Sequence, residues 1–227
     1  MKNRNGKNGK SGSQIRAVIL DYGEVLCERP KRELLNGMAE VFGVEPARFF
    51  ELYKSSRDPY DQGKITAEEY WEDFAQRAGV SVDKGVIQRL RGLDTEMWSS
   101  TSPEMLRWVT MLNQAGLTTA LLSNMQHDMA AYARKNFAWL GDFDHQILSC
   151  EVGLIKPDAA IFRESIERIG TKPEEILFVD DRQANVDGAK STGIEAIRFE
   201  GIKRLREDLE EMGFAVLPEV SRGDGAV

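Results

Sequence analysis

Short apolar runs, each stopping at polar or turn-forming residues and separated by helical patterns, constrain this chain most. Ile15 to Leu20 stops at Asp21-Tyr22-Gly23, Leu117 to Leu122 at Ser123-Asn124, and Ile176 to Val179 at Asp180-Asp181. Gln146 to Ser149 and Ala196 to Phe199 are weaker members of the set. Runs this short, β-branched and bounded by turn chemistry read as buried strands. Between them, helical periodicity predicts helices over Pro103–Gln114, Gln126–Phe137, Asp158–Ile169 and Gln183–Ser191. Thr101 and Glu104 have capping-box spacing ahead of the first. Such alternation is the signature of a mostly parallel sheet covered on both faces.

Residues 30–98 break the alternation. They carry helical patterns at Lys31–Phe42, Pro46–Lys54, Thr66–Arg77 and Asp83–Met97, with turns at Arg57–Lys64 and Gly79–Ser81 and no convincing strand. Thr66 and Glu69 form a second capping-box pair. The expected fold is therefore α/β: a Rossmann-like doubly wound parallel sheet core, residues 15–29 and 99–220, with an inserted all-helical cap, residues 30–98. Phe49, Phe50, Trp71 and Phe74 are expected to form the cap's own small core. Residues 1–14, rich in Gly, Asn and Ser with Lys2, Arg4, Lys7 and Lys10, read as a disordered tail.

The formal charge is −7 even with that basic tail, so the chain as a whole does not attract nucleic acid or an anionic membrane. No apolar run approaches the roughly 18 residues of a membrane span. Cys27 and Cys150 lie far apart without CxxC spacing, which argues against structural zinc and for a reduced, cytoplasmic setting with both thiols packed inside. A monomer or a homodimer is expected.

In an open parallel sheet, ligands bind outside the carboxyl ends of the strands. Here those ends carry Asp21, Ser123-Asn124 and Asp180-Asp181, and Gly153-Leu154-Ile155-Lys156-Pro157-Asp158 puts a lysine just before a helix. A single acid after a strand is commonly a turn or cap residue. The joint occurrence reads instead as a phosphoryl-transfer site. A carboxylate can attack phosphorus and form an aspartyl-phosphate. Two more carboxylates suit magnesium, which prefers a few acids plus water and substrate phosphate. A hydroxyl and a lysine can hold and neutralise the transferred group. Three carboxylates and a phosphate converging without a cation would repel strongly.

Four segments carry a further resemblance: Asp21-Tyr22-Gly23-Glu24-Val25-Leu26, Leu121-Leu122-Ser123-Asn124, Gly153-Leu154-Ile155-Lys156-Pro157, and Phe178-Val179-Asp180-Asp181 running on to Ala189. As an ordered set over about residues 15 to 200, they resemble the haloacid dehalogenase-like hydrolase superfamily. The helical insert is similar to that family's C1 cap. The resemblance implies that Asp21 is nucleophile and metal ligand, and that the Gly23 carbonyl is a further ligand of Mg2+. By the same resemblance Ser123 binds phosphate, Asn124 beside it is a further substrate-binding group, and Lys156 bridges Asp21 and the phosphate. Asp181 is then the direct magnesium ligand, with Asp180 beside it in direct or water-mediated contact with the ion, and Asn185 orients a ligand or water. The implied activity is magnesium-dependent hydrolysis of a small phosphorylated metabolite, sugar phosphates among them.

The pattern departs from most family phosphatases at Gly23, where a second aspartate would protonate the leaving group. General acid help is worth about 10²–10⁴ in rate. Its loss points to esters whose leaving group needs little protonation, such as aryl, acyl or sugar-1-phosphates. Two alternatives are another proton source, Glu24 or a cap residue, and residual activity. Two rival functions remain: a metal-independent 2-haloacid dehalogenase, and a binding module with decayed catalysis. Tyr60, Asp61, Lys64 and His127 are lesser candidates for substrate contact, against turn chemistry and packing. His145 and the acidic run Glu207–Glu211 read as structural or solvated.

Overall fold

The computed structural model describes residues 14–220; the basic tail lies, but for Gln14, outside the described residues. Among the described residues, one sheet contains β1 (Ala17–Leu20), β2 (Thr118–Ser123), β3 (His145–Leu148), β4 (Ile176–Asp180) and β5 (Glu195–Arg198). The order is β3-β2-β1-β4-β5, and every pairing is parallel. Alternate residues feed opposite cores. Val18, Leu20, Leu121, Leu177 and Val179 join one cluster, while Ala17, Ile19, Ala120, Leu122, Ile176 and Phe178 join the other. Both faces are apolar because both are covered by helices, the arrangement that a parallel sheet requires. No helix of the described residues is long and apolar enough to cross a membrane.

Between β1 and β2 the chain forms α1 (Arg32–Phe42), α2 (Pro46–Ser55), α3 (Asp58–Asp61), α4 (Ala67–Ala78) and α5 (Lys84–Met97). These helices share a hydrophobic cluster of their own around Phe42, Phe49, Tyr70, Trp71 and Phe74. The Thr66–Glu69 capping box is formed in both directions at the start of α4. Phe50, expected inside, is 40% exposed with the Lys54 ammonium 4.3 Å from its ring centroid. Neighbouring helical residues point about 100° apart, so Phe49 and Phe50 cannot both face one core. The turn expected over Arg57–Lys64 winds into the short α3.

Two linker segments running antiparallel join these helices to the sheet. Cys27 bridges Thr101, the Glu28 N–H donates to Ser100 at 2.9 Å, and the Ser102 N–H donates to Leu26 at 2.8 Å. That pairing overturns the expected Thr101–Glu104 cap. Thr101 is drawn into the bridge, and Ser102 becomes the N-cap of α6 (Pro103–Gln114), its hydroxyl accepting from Met105 N–H at 3.4 Å. The remaining helices are α7 (His127–Asn136), α8 (Ser149–Val152), α9 (Ala159–Ile169), α10 (Gln183–Lys190) and α11 (Ile202–Glu211). Cys27 and Cys150 are both buried and free, as packing residues should be.

Candidate active site

The chain runs from β1 outward to β2 and β3, then returns to the other side of β1 for β4. The carboxyl end of β1 is thus where the strand order reverses, the place where such sheets open a ligand crevice. Asp21 stands there, between Ser123 at the end of β2 and Asp180 at the end of β4. Beyond Asp21 the backbone makes one wide turn, Tyr22–Leu26, closed by the Cys27 N–H on the Tyr22 carbonyl at 2.7 Å. The Asp21 carboxylate accepts from the Tyr22 N–H at 2.7 Å.

Lys156 is the electrostatic centre of the site. Its ammonium, almost fully buried, lies 2.7 Å from Asp21 Oδ1 and 2.7 Å from Asp180 Oδ2, and donates to the Leu122 carbonyl at 2.9 Å. Burial works against this charge, but Asp180 and Asp21 outweigh it and hold the ammonium above the usual lysine range. Asp180 is tied on every side. Oδ1 accepts from the Arg182 N–H and the Asn185 amide at 2.8 and 2.9 Å, and Oδ2 accepts from Lys156 and again from Asn185 at 3.0 Å.

Asp21, Asp180 and Asp181 each present an oxygen within 4.8 Å of the others. Burial pushes the Asp21 carboxyl up to about 8; Lys156 pulls it down, and Asp180 and Asp181 raise it again. Burial, then Asp180 and Glu24, push Asp181 up to about 6. One lysine does not neutralise three clustered acids, so the donor set suits a divalent cation. The buried Asn185 Oδ1 accepts no hydrogen bond, a free acceptor next to the same cluster.

Asn124, expected among the substrate-binding groups, has both ends of its amide on the backbone of Lys156. Nδ2 donates to the carbonyl at 2.8 Å, and Oδ1 accepts from the N–H at 2.9 Å. Gly188 is a second device at this loop: a Cβ there would lie 2.4 Å from the Pro157 carbonyl oxygen, so only glycine lets α10 approach so closely. Gly23 is different. Its φ of −63° and ψ of 126° suit any residue, and a Cβ would meet only the Trp98 ring, at 3.7 Å. The missing acid is therefore not a demand of the backbone. Glu24 takes the left-handed conformation, φ 53°, and pairs with Arg29 at 3.0 Å.

Of the lesser candidates, Tyr60 and Asp61 are buried, Asp61 paired with Arg57 at 2.8 Å. Lys64 and His127 are exposed. Sequence reading missed Arg57, Asp94, Gln126 and Ser149, a buried polar set where the helical insert meets the sheet. Each looked like an ordinary turn, helix or strand-end residue.

A family model for the haloacid dehalogenase-like hydrolases matches residues 15–193. The chain belongs to this family of hydrolases. It is 27% identical over 210 residues to the acyl-CoA dehydrogenase family member 10 of Mus musculus, covering 88% of this chain and 19% of that protein. It is 25% identical over 144 residues to the (S)-2-haloacid dehalogenase 1 of a Pseudomonas species, covering 61% of this chain and 63% of that one. The chain thus spans less than two thirds of either relative. Among solved structures, it is similar to a HAD family enzyme of Bacteroides thetaiotaomicron in complex with magnesium and inorganic phosphate. The TM-score is 0.67 at 21% identity, over 81% of this chain and 93% of that one.

Proposed function

We propose that this hydrolase is a magnesium-dependent phosphomonoesterase that works through an aspartyl-phosphate on a small phosphorylated metabolite. The observation that carries the reading is the position of Lys156, 2.7 Å from Asp21, beside a third acid, Asp181, that the lysine does not neutralise. Asp181 and Asp21, with the Gly23 carbonyl, would hold the ion, and Asp180 anchors Lys156 next to it. Bound there, magnesium would offset the charge of the acids and of the phosphate.

An Asp21 oxygen attacks phosphorus, and the bond from phosphorus to the leaving oxygen breaks. Lys156 and the Ser123 hydroxyl hold the phosphoryl oxygens through that step. The leaving alkoxide or phenoxide takes its proton from water. Water then attacks the phosphorus on Asp21, inorganic phosphate departs, and the carboxylate is restored. Because position 23 offers no acid, stable leaving groups are favoured.

The relationship to a haloacid dehalogenase raises a second reading, in which Asp21 attacks carbon without metal. The acidic Asp180-Asp181 pair favours the phosphatase, since a metal-free attack on a haloacid has no use for a third acid at the nucleophile. The test is hydrolysis of an aryl phosphate by wild type and Asp21→Asn, with magnesium and with EDTA. Activity should need both magnesium and Asp21. Chloride release from a 2-haloacid in EDTA, without phosphatase activity, would reverse the assignment.

A further inference from the structure

Where the helical insert meets the sheet, two buried side chains touch both sides. Gln126 N-caps α7, its Oε1 accepting from the Met129 N–H at 2.6 Å, while its Nε2 donates to Asp94 Oδ2 on α5 at 3.0 Å. Ser149, the first residue of α8 just past β3, accepts from the Met125 N–H at 2.8 Å and donates to the carbonyl of Asp61, the last residue of α3. Gln126 and Ser149 are essentially inaccessible to solvent. Met125 and Gln126 directly follow Ser123-Asn124, so the loop that carries Ser123 is tied to the helical insert on its C-terminal side, directly through Gln126 and through Ser149 from Met125.

The insert's end of each contact is itself rigid. Asp94 accepts from Tyr53 at 2.6 Å and pairs with Arg57 at 2.9 Å, and Arg57 pairs with Asp61. Gly63 has φ +72° and sits so tightly on the core that a Cβ would lie 2.7 Å from the Cys150 carbonyl oxygen and 3.0 Å from His127 Nε2. Lifting the insert would leave the Asp94 carboxylate, the Gln126 amide and the Asp61 carbonyl to find new partners, which holds the two parts in one arrangement.

We infer that Gln126 and Ser149 are positioning residues that fasten the Ser123–Asn124 loop to the seated insert, so that the loop is set for a phosphate only under a seated insert. This rests on Ser123 as the phosphate-binding hydroxyl. The two residues act on substrate only through that loop.

The test uses the full chain with magnesium, an aryl phosphate as substrate and inorganic phosphate as inhibitor. Gln126→Glu keeps the acceptor for Met129 but sets a second carboxylate against Asp94. It should weaken phosphate inhibition and lower kcat/KM by about tenfold, the factor that one buried hydrogen bond carries. Amide exchange at Met125 should quicken in parallel. The double variant Gln126→Glu with Asp94→Asn exchanges donor and acceptor at this contact without changing the net charge, and, although it gives up the Asp94–Arg57 pair, should recover at least about threefold over the single variant. Gly63→Ala, which wedges the insert from its own side, should reproduce the loss with no substitution in the loop itself. Unchanged phosphate inhibition in Gln126→Glu or Gly63→Ala overturns the inference, and so does a double variant no better than the single. Should wild type lack phosphatase activity, the proposed reaction fails, while Met125 exchange in the same three variants still tests the fastening.

Discussion

The side-chain amide of Asn124 grips the backbone of Lys156 from both sides, donating to its carbonyl at 2.8 Å and accepting from its N–H at 2.9 Å. A residue next to Ser123, the proposed phosphate-binding hydroxyl, therefore sets where the lysine loop lies. Asn124→Ala removes both bonds and leaves two partly buried backbone groups to find water. We expect kcat to fall by about tenfold or more through displacement of Lys156, with the fold retained. Steady-state kinetics on an aryl phosphate check this, and an unchanged kcat would show that the grip does not govern the lysine.

Gly23→Asp should restore a proton donor. The backbone there is ordinary for any residue, and the nearest atom to a new Cβ is on the Trp98 ring at 3.7 Å, an ordinary contact, so a Cβ is accommodated. A simple alkyl phosphate, whose leaving alkoxide needs a proton, should gain about tenfold or more in kcat/KM, and an aryl phosphate much less. Equal changes on both esters would point to another acid in the wild-type protein.

The strands and the acids at their ends were legible in the sequence because both are local signals. An apolar run of β-branched residues marks a strand, and the polar residue that stops it marks the strand's open end. The helical insert was legible from its 3.6-residue periodicity, yet that pattern did not separate Phe49 from Phe50, because orientation depends on what each helix packs against. The fastening groups were not legible. Ser149 and Asp61 are 88 positions apart in sequence, Arg57 and Asp94 are 37, and Asp94 and Gln126 are 32. Asp94 reads as a polar residue on an amphipathic helix, and the packing of α5 against Tyr53, Arg57 and the loop before α7 makes it buried. The Thr101 cap failed for a related reason: its backbone was claimed by Cys27 across the linker, a partner that local spacing does not reveal.

Lys156→Met should cost both activity and stability. It leaves Asp21 and Asp180 facing each other, buried, without their shared cation. Removing one partner from a buried ion pair typically costs about 3–5 kcal/mol. The loss should show in denaturant unfolding in EDTA and shrink when magnesium is added, because a bound cation would take over part of the lysine's role. Turnover should drop by at least about 100-fold in either case. A variant as stable as wild type in EDTA would mean that the two acids take up protons without strain.

Asp61 gives the pH dependence of stability a sign. Burial pushes its carboxyl from 3.8 up to about 7; Arg57 pulls it down, and Asp94 adds to the rise. Between about pH 4 and about pH 7 the folded chain therefore holds a proton on Asp61 that the unfolded chain has released. A state that binds more protons loses ground as pH rises, so this group's contribution falls through that window and is lowest above it. Asp61→Asn keeps the volume and cannot titrate. Asp21 and Asp181 are shifted in the same direction and remain in the variant, so the comparison is of slopes. In EDTA, wild-type unfolding free energy should decline more steeply than the variant's across this window, by up to about 1.4 kcal/mol per pH unit for one proton. Denaturant titrations of both proteins at several pH values measure the slopes. Parallel curves would mean that Arg57 keeps Asp61 ionised throughout.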